Sequence, residues 1–368
     1  MKIVQVKNKS ELREFIKIPW KIYEGNPYWV PPLIKEQERI LTPVNPFFKH
    51  ADVELFMAKD NSNPIGRIAA IIDYNYQDYY QEKAGAFGFF ESIDDYEVAQ
   101  ALFDQVFEWL KTKKVEMIMG PLNPSTNEEC GLLVEGFERS PFIMMPYNHS
   151  YYPHLMEKYG FEKERDLLAY EVILNRDYGS KWLALSEKFK KKAVKIRSIN
   201  LKKLKREIEI IRDIYNSAWS ENWGFVPMTD EEIHWMGRRL KPLAEPELIL
   251  IAEIEGFPAG FVMALPNYNN LLKKLNGTIN PISAMKLLWN SRKIKEVRFV
   301  TLGIKGGYRR NRYLLPIFSE FIKNAIAKGY QLAEISWILE DNLNPQNAII
   351  KHLGGKISKK YRIYGMRL

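Results

Sequence analysis

Two apolar, β-rich runs, 53–59 and 65–72, flank a polar turn of Asn61, Ser62, Asn63 and Pro64. This arrangement predicts a hairpin. A third run, GAFGFFES (85–92), reads as another strand. Beyond it the period changes. Ala99, Leu102, Phe103, Val106, Trp109 and Leu110 recur at spacings of three and four, which predicts one buried helix face. Asp94 is placed to cap that helix, with Glu97 completing a capping box. The strand VEMIMG (115–120), a short helix ending at Gly160 and the strand LLAYEVIL (167–174) follow.

The same order returns in the second half. It has a hairpin (248–264), a strand VRFVTLGI (297–304) and a helix starting near Pro316. Ile317, Phe321, Ile322 and Ala325 face inward, and the helix stops at Gly329. Then come a strand LAEISWIL (332–339), a short helix (346–353) and a strand KYRIYGMR (360–367). Each half opens with a strand and helices, IVQV then SELREFIKIPWKIY, and VKIRSI then IIRDIYNSAW. Landmarks share one offset of 194: Ala58, Pro64 and Gly66 with Ala252, Pro258 and Gly260; Gly160 and Tyr170 with Gly354 and Tyr364; Trp29 with Trp223. We read a duplication. Two insertions break it, 120–150 in the first half and 267–293 in the second, and such insertions are expected as surface loops or lids.

Charge sharpens this organisation. The 368 residues carry a net +9, but residues 181–206 hold eleven Lys/Arg against Glu187 alone. That segment is +10, so the remainder sums to 9 − 10 = −1. The excess marks a junction around 178–194, between domains at 1–178 and 194–368. It is either a phosphate- or RNA-binding patch or a solvated face; charge runs mostly mark solvated faces. Only Trp182 and Phe189 interleave the lysines, so a base-stacking surface is not indicated. No apolar run is long enough to span a bilayer, and MKIVQVKNKSEL has no signal-type apolar core. One cysteine excludes an intrachain disulfide and a Cys-based zinc site. A cytoplasmic protein is expected.

The element order resembles, twice over, the GNAT superfamily of acyl-CoA-dependent acyltransferases. The blocks NPYWVPPL, PFFKHADVELFMA, GRIAAI, GFFESIDD, GPLNPSTNEECGLLVEGF, NWGFVPMT, SWILEDN and LGGKISKKYRIY resemble an uncharacterised bacterial branch of it. The resemblance implies an α/β chain of two tandem domains. Each is a mixed, mostly antiparallel twisted sheet flanked by helices. It also implies that the fourth strand of each domain splays from the fifth, that the gap takes pantetheine, and that the next turn, [QR]-x-x-G-x-[GA], wraps a pyrophosphate.

In the first half that turn is ESIDDYE, with Glu91, Asp94, Asp95 and Glu97 and no glycine, so a non-binding copy is expected. The second half has GIKGGYRRNRYLLP. Arg309 takes the first motif position, while Arg312 and Leu314 replace the glycines. Gly306 and Gly307 come earlier, and Arg309, Arg310 and Arg312 offer charge-assisted bonds to phosphate. The expected co-substrate is acetyl-CoA or a longer acyl-CoA, with no metal. The alternative is a lost or altered cofactor site.

Acyl transfer needs an oxyanion stabiliser and a proton acceptor. The backbone of Leu302, Gly303 and Ile304 is the candidate for the first. Glu340 and Asp341, with Asn342, follow the fifth strand where an acid would face the gap; alternatively Asp341 or Asn342 caps the last helix. The tyrosine acid common in the superfamily is replaced by Ile350, and by Met156 in the first half. Tyr215, Trp219, Asn222, Trp223 and Phe225 lie where the superfamily builds its acceptor lid, and either hold a small amine-bearing acceptor or pack as core. His50, His149, His154, His234 and His352 show no metal spacing, and Cys130 reads as an inert thiol. A non-catalytic acyl-ligand or partner-binding duplicate, or an aminoacyl-tRNA-dependent transferase, is the rival function.

Overall fold

The computed structural model describes residues 1–175, 194–311 and 314–368. The junction expected around 178–194 lies outside these residues except for Val194. The first half runs β1 (Lys2–Gln5), α1 (Lys9–Ile22), α2 (Ile34–Ile40), β2 (Ala51–Asp60), β3 (Asn63–Asp73), α3 (Tyr74–Tyr80), β4 (Ala84–Ser92), α4 (Tyr96–Thr112) and β5 (Met117–Gly120). The short strands β6 (Leu122–Asn123), β7 (Glu129–Cys130) and β8 (Leu132–Glu135) precede α5 (Tyr152–Tyr159) and β9 (Glu162–Ile173). The second half runs β10 (Val194–Ser198), α6 (Leu204–Trp219), α7 (Asp230–Leu240), β11 (Ile249–Ile254), β12 (Phe257–Pro266), α8 (Asn269–Leu275) and α9 (Pro281–Ser291). It ends with β13 (Glu296–Ile304), α10 (Leu314–Ala327), β14 (Leu332–Leu339), α11 (Leu343–Leu353) and β15 (Lys356–Arg367).

Two compact units form, and they interleave the halves. The first takes residues 1–168, 269–287 and 359–368; the second takes 169–268 and 288–358. In the first unit the strand order is β1-β2-β3-β4-β5-β15, antiparallel except for the parallel pair β4/β5. In the second, β10, β11, β12 and β13 run antiparallel, β13/β14 is parallel, and the end of β9 lies beyond β14. The mixed, mostly antiparallel α/β sheets expected from the resemblance are therefore present.

The repeat is visible at single-residue resolution. Ala58 faces Gly66 and Lys59 faces Pro64, with a register shift between Ala58 and Lys59. In the second half Ala252 faces Gly260 and Glu253 faces Pro258, with the shift between Ala252 and Glu253. The landmarks at offset 194 thus mark the same bulge in both hairpins. A bulge admits one extra residue and increases local twist.

Hydrophobic periodicity places the core correctly. Ala99, Leu102, Phe103, Val106 and Leu110 of α4 are buried against Phe56, Ile68, Phe87 and Phe90, while Trp109 packs at the edge. Burying each large side chain contributes roughly 1.5–3 kcal/mol. The α4 cap differs from expectation by one position. Asp95, not Asp94, accepts the Glu97 amide, which puts Glu97 at the second helical position, one short of the position a capping box needs, so the expected box does not form. α5 ends at Gly160 in the left-handed conformation, where a side chain would be strained.

The first insertion is not a surface loop. Leu122, Cys130, Leu132, Leu133, Phe142, Ile143 and Met145 are buried. Their apolar character outweighs the loop-like Pro, Ser and Asn content of the segment. The described part of the basic segment is mixed. Arg197 is held by Glu207 and Glu253 at 2.8 and 2.7 Å, while Lys202, Lys203, Lys205 and Arg206 are exposed. Among the described residues no helix is long and apolar enough to cross a membrane.

Candidate functional site

In the second unit β13 and β14 pair from Glu296↔Leu332 to Phe299↔Ile335, and the pairing stops there. β13 continues against β12 as far as Gly260↔Ile304, and β14 continues to Leu339. The two parallel strands therefore part after Phe299 and Ile335. The Lys305 amide donates to the Ala259 carbonyl at 2.9 Å. Alternation along an antiparallel pair then directs Gly303 at β12 and turns the main-chain groups of Leu302 and Ile304 toward the β14 side. Where the strands part, buried Arg298 donates from Nε to Ser336 Oγ (2.8 Å), and Ser336 donates to Glu334 (2.6 Å). The Thr301 hydroxyl oxygen is buried there with no hydrogen-bond partner. Neither Arg298 nor Thr301 was singled out from sequence, although a lone arginine in the apolar run VRFVTLGI is a readable signal.

Beyond β13 the chain makes a 3-10 turn, Gly306–Asn311, that leads to α10 at Leu314. Gly306 and Gly307 are exposed, and a β-carbon added to either would meet nothing within 4 Å. Arg309 and Arg310 lie in this turn, and Arg312 lies outside the described residues. The turn is open and leads to a helix N-terminus, the geometry in which backbone amides meet an anion. At its base Lys305 is paired with Asp213 of α6.

Three of the five acceptor candidates come together. The Tyr215 ring stacks on Trp219 at 4.8 Å and lies 5.8 Å from Phe225. A β-carbon on Gly303 would overlap the Trp219 ring, so this glycine is what lets α6 lie on β13. Asn222 and Trp223, both half-buried, form the turn that follows, in which the Asn222 amide donates to Trp219 and the Phe225 amide to Asn222. The cluster borders the core of Ile214, Ile251 and Phe261.

At the far end of β14, Glu340 is half-buried and Asp341 exposed. Asn342 stands at the N-cap of α11 but makes no side-chain cap bond. Gln346 fixes this turn, donating to the Leu339 and Glu340 carbonyls at 2.9 and 2.8 Å and accepting from buried Tyr170 at 3.1 Å. Sequence reasoning missed Gln346. Ile350, at the position of the family's tyrosine, is exposed and carries no acid.

The first unit treats the corresponding gap differently. β4 and β5 pair only from Ala84↔Met117 to Ala86↔Met119. The chain then returns, and β6 fills the space beside β4. The Leu122 carbonyl sits where a Gly88 side chain would be, and Asn123 Oδ1 accepts the Phe89 amide at 2.7 Å. The Phe89 amide is thus taken by the protein itself. Glu91 also turns inward. Tyr23 and Tyr152 each donate to its Oε2 at 2.7 Å, and Arg67 lies 3.5 Å from Oε1. Burial pushes the Glu91 carboxyl above the usual carboxylate range, opposed by Arg67 and the two tyrosines. Burial likewise pushes both phenols well up. Only Asp94, Asp95 and Glu97 remain at the turn.

His149 stacks between Tyr23 and Tyr151 at 4.7 and 5.1 Å. Among the described residues no group of three His, Cys, Asp or Glu is placed to hold a metal. Cys130 is buried.

No protein-family model matches the chain. It is 35% identical over 365 residues to Protein YghO of Escherichia coli strain K12, covering 97% of this chain and 93% of that one. It is 33% identical over 372 residues to the Bacterial ceramide synthase of Caulobacter vibrioides, covering 99% and 97%. Among solved structures it matches a tandem GNAT protein from the clavulanic acid biosynthesis pathway, with a TM-score of 0.58 at 10% identity, over 100% of this chain and 98% of that one. A GCN5-related N-acetyltransferase from Sphaerobacter thermophilus gives 0.54 at 11% identity, over 99% and 95%.

Proposed function

Since the chain belongs to the family of YghO and the bacterial ceramide synthase and carries the tandem GNAT fold, we propose that it is an acyl-CoA-dependent N-acyltransferase with its donor site in the second unit. The observation that carries this is the parting of β13 from β14 after Phe299 and Ile335, with Leu302 and Ile304 turned to the opened side. In the first unit the same opening is filled by Leu122 and Asn123.

Acyl-CoA supplies an acyl group activated as a thioester. The Leu302 and Ile304 amides would hold its carbonyl oxygen and stabilise charge developing there; Gly303 is the close-packed residue between them. The open turn of Gly306 and Gly307, with Arg309, Arg310 and Arg312, would hold the pyrophosphate, beside Asn342. An amine acceptor is protonated at neutral pH and must lose a proton before attack. Glu340 and Asp341 would take it, in a turn held by Gln346; the C–N bond would then form as the C–S bond breaks, and the coenzyme A thiolate would leave and take up that proton.

Tyr215, Trp219, Asn222, Trp223 and Phe225 offer an apolar surface with one polar anchor. The name of the Caulobacter relative supports a narrower acceptor class, because ceramide is a long-chain amino alcohol acylated on nitrogen. We therefore read the acceptor as a long-chain amine and the donor as a longer acyl-CoA rather than acetyl-CoA. An acyl-CoA donor fits a cytoplasmic protein.

The test combines binding and turnover. A long-chain acyl-CoA at about 100 times its Kd should stabilise the protein by about 2.7 kcal/mol against unfolding. Arg309→Glu should abolish that shift, and mass spectrometry should detect the amide formed with a long-chain 2-amino-1,3-diol. Absence of both the shift and the amide overturns the reading. A shift without turnover on any amine leaves an acyl-ligand binder.

A further inference from the structure

α9 is turned inside out. Its outward face carries Ile282, Met285, Leu288 and Trp289, which are 64%, 69%, 68% and 73% exposed. Ser283, Ala284, Asn290 and Ser291 are half-buried on the opposite side together with Leu287, and no residue of the helix is fully buried. At 100° per residue the four outward apolar residues share an arc of about 120°. A surface helix in water places such a stripe against its own core; this one presents it to solvent. Ile279, also exposed, precedes the helix, so five large exposed apolar side chains fall within residues 279–289. Elsewhere among the described residues no stretch of eleven holds more than two such side chains.

The charge of the segment bears on what would cover this face. Residues 267–295 contain six Lys/Arg and no Asp or Glu. Lys274, Lys286, Arg292, Lys293 and Lys295 are exposed. An outward apolar arc with Trp at its C-terminal end, flanked by cations and lacking acids, has the composition of a helix that lies in a bilayer interface. At about 16 Å the helix is too short to span one. A second copy of the chain is the weaker occupant. Four side chains on so short a helix fall below the roughly 800 Å² per partner of a stable interface, and a two-fold contact would oppose two segments of the same positive charge.

We propose that α9 docks the protein on a membrane surface rich in anionic phospholipid. Only four residues, 292–295, separate α9 from β13. Docking would therefore hold the donor strand near a bilayer in which a long-chain amine is dissolved. That purpose rests on the acyl-transfer reading; the docking itself does not.

The experiment is co-sedimentation of the full-length protein with phosphatidylcholine vesicles, with and without phosphatidylglycerol, in the absence of any acyl-CoA. Binding to the phosphatidylglycerol vesicles is expected, and it weakens as salt rises. Met285→Glu combined with Trp289→Glu should weaken it at least about tenfold without lowering the thermal midpoint, because both side chains are already in water. Failure of the wild type to bind anionic vesicles, or equal binding by the variant, overturns the proposal. So does a dimer in sedimentation equilibrium that the same variant abolishes, since the occupant is then a second copy. Vesicle binding without amide formation retains the docking and removes only the catalytic reading.

Discussion

The Tyr364 hydroxyl donates a 3.0 Å hydrogen bond to Glu157 on α5, within the first unit. Tyr170, 194 residues earlier, is also buried, and it donates at 3.1 Å to Gln346 on α11 in the second unit. Each tyrosine stands on the last strand of one sequence half and reaches the last helix of the other half. Burial, with the Glu157 bond, pushes the Tyr364 phenol well above its ordinary range, so it serves as a donor at any physiological pH.

The exchange predicts how the chain responds to being divided. A fragment ending at residue 178 lacks 269–287 and 359–368, both parts of the first unit. It should show no cooperative thermal transition by circular dichroism. Mixing it with the fragment 194–368 should restore one. A fragment 1–178 that unfolds cooperatively at the intact protein's midpoint would show that β15 is dispensable.

A second prediction concerns the filled opening of the first unit. Gly88→Ala places a methyl group on the Leu122 carbonyl and must push β6 off β4. Overpacking of this kind costs about 1–3 kcal/mol. Asn123→Ala leaves the Phe89 amide without its acceptor, a further cost of about 1–3 kcal/mol. Urea unfolding should show both losses, with acyl-CoA binding unchanged, because the donor is assigned to the second unit. Altered affinity in either variant would place a ligand beside β4.

Most of the framework was legible because it follows periodicity. The apolar run of α4 and the offset of 194 led to the right helix face and to the paired bulges at Ala58 and Ala252. The missed features depend on side chains that meet across long stretches of sequence. Glu91 reads as one acid in an exposed acidic turn until Arg67, Tyr23 and Tyr152 converge on it. Gln346 looks like one polar residue of a surface helix until its amide is seen spanning two carbonyls and Tyr170. The first insertion has the Pro, Asn and Ser content of a loop, and only its fit against Gly88 marks it as filling.

The Arg67–Glu91 pair is a stability element with a pH signature. Glu91→Ala leaves the Arg67 guanidinium buried without its carboxylate, which costs about 3–5 kcal/mol. The double variant Arg67→Met, Glu91→Leu should recover most of that loss, since it leaves no uncompensated buried charge. The folded-state pKa of Glu91 is raised above its ordinary 4.5, chiefly by burial. Folding is therefore favoured most while the carboxyl is protonated, below pH 4.5, and this contribution is lost as the pH rises through the folded value; the ion pair with Arg67, which only the carboxylate makes, offsets part of that loss. Glu91→Gln, neutral throughout, should lack this slope in denaturation curves taken across that range. Additive losses in the double variant would mean that the two side chains do not act as a pair.

Thr301 separates a structural from a functional use of the parted strands. Its hydroxyl oxygen is buried on β13 without a partner, so it adds nothing to the stability of the folded protein. Thr301→Val keeps the shape and removes the unsatisfied group, and should raise stability by about 1 kcal/mol. If the hydroxyl faces the acyl donor beside Leu302, the same change should lower kcat/KM about tenfold, while Thr301→Ser stays near the wild type. Urea midpoints and steady-state kinetics on the three proteins decide the point. A valine variant that is both less stable and fully active would mean that the hydroxyl serves the fold and that the donor lies elsewhere.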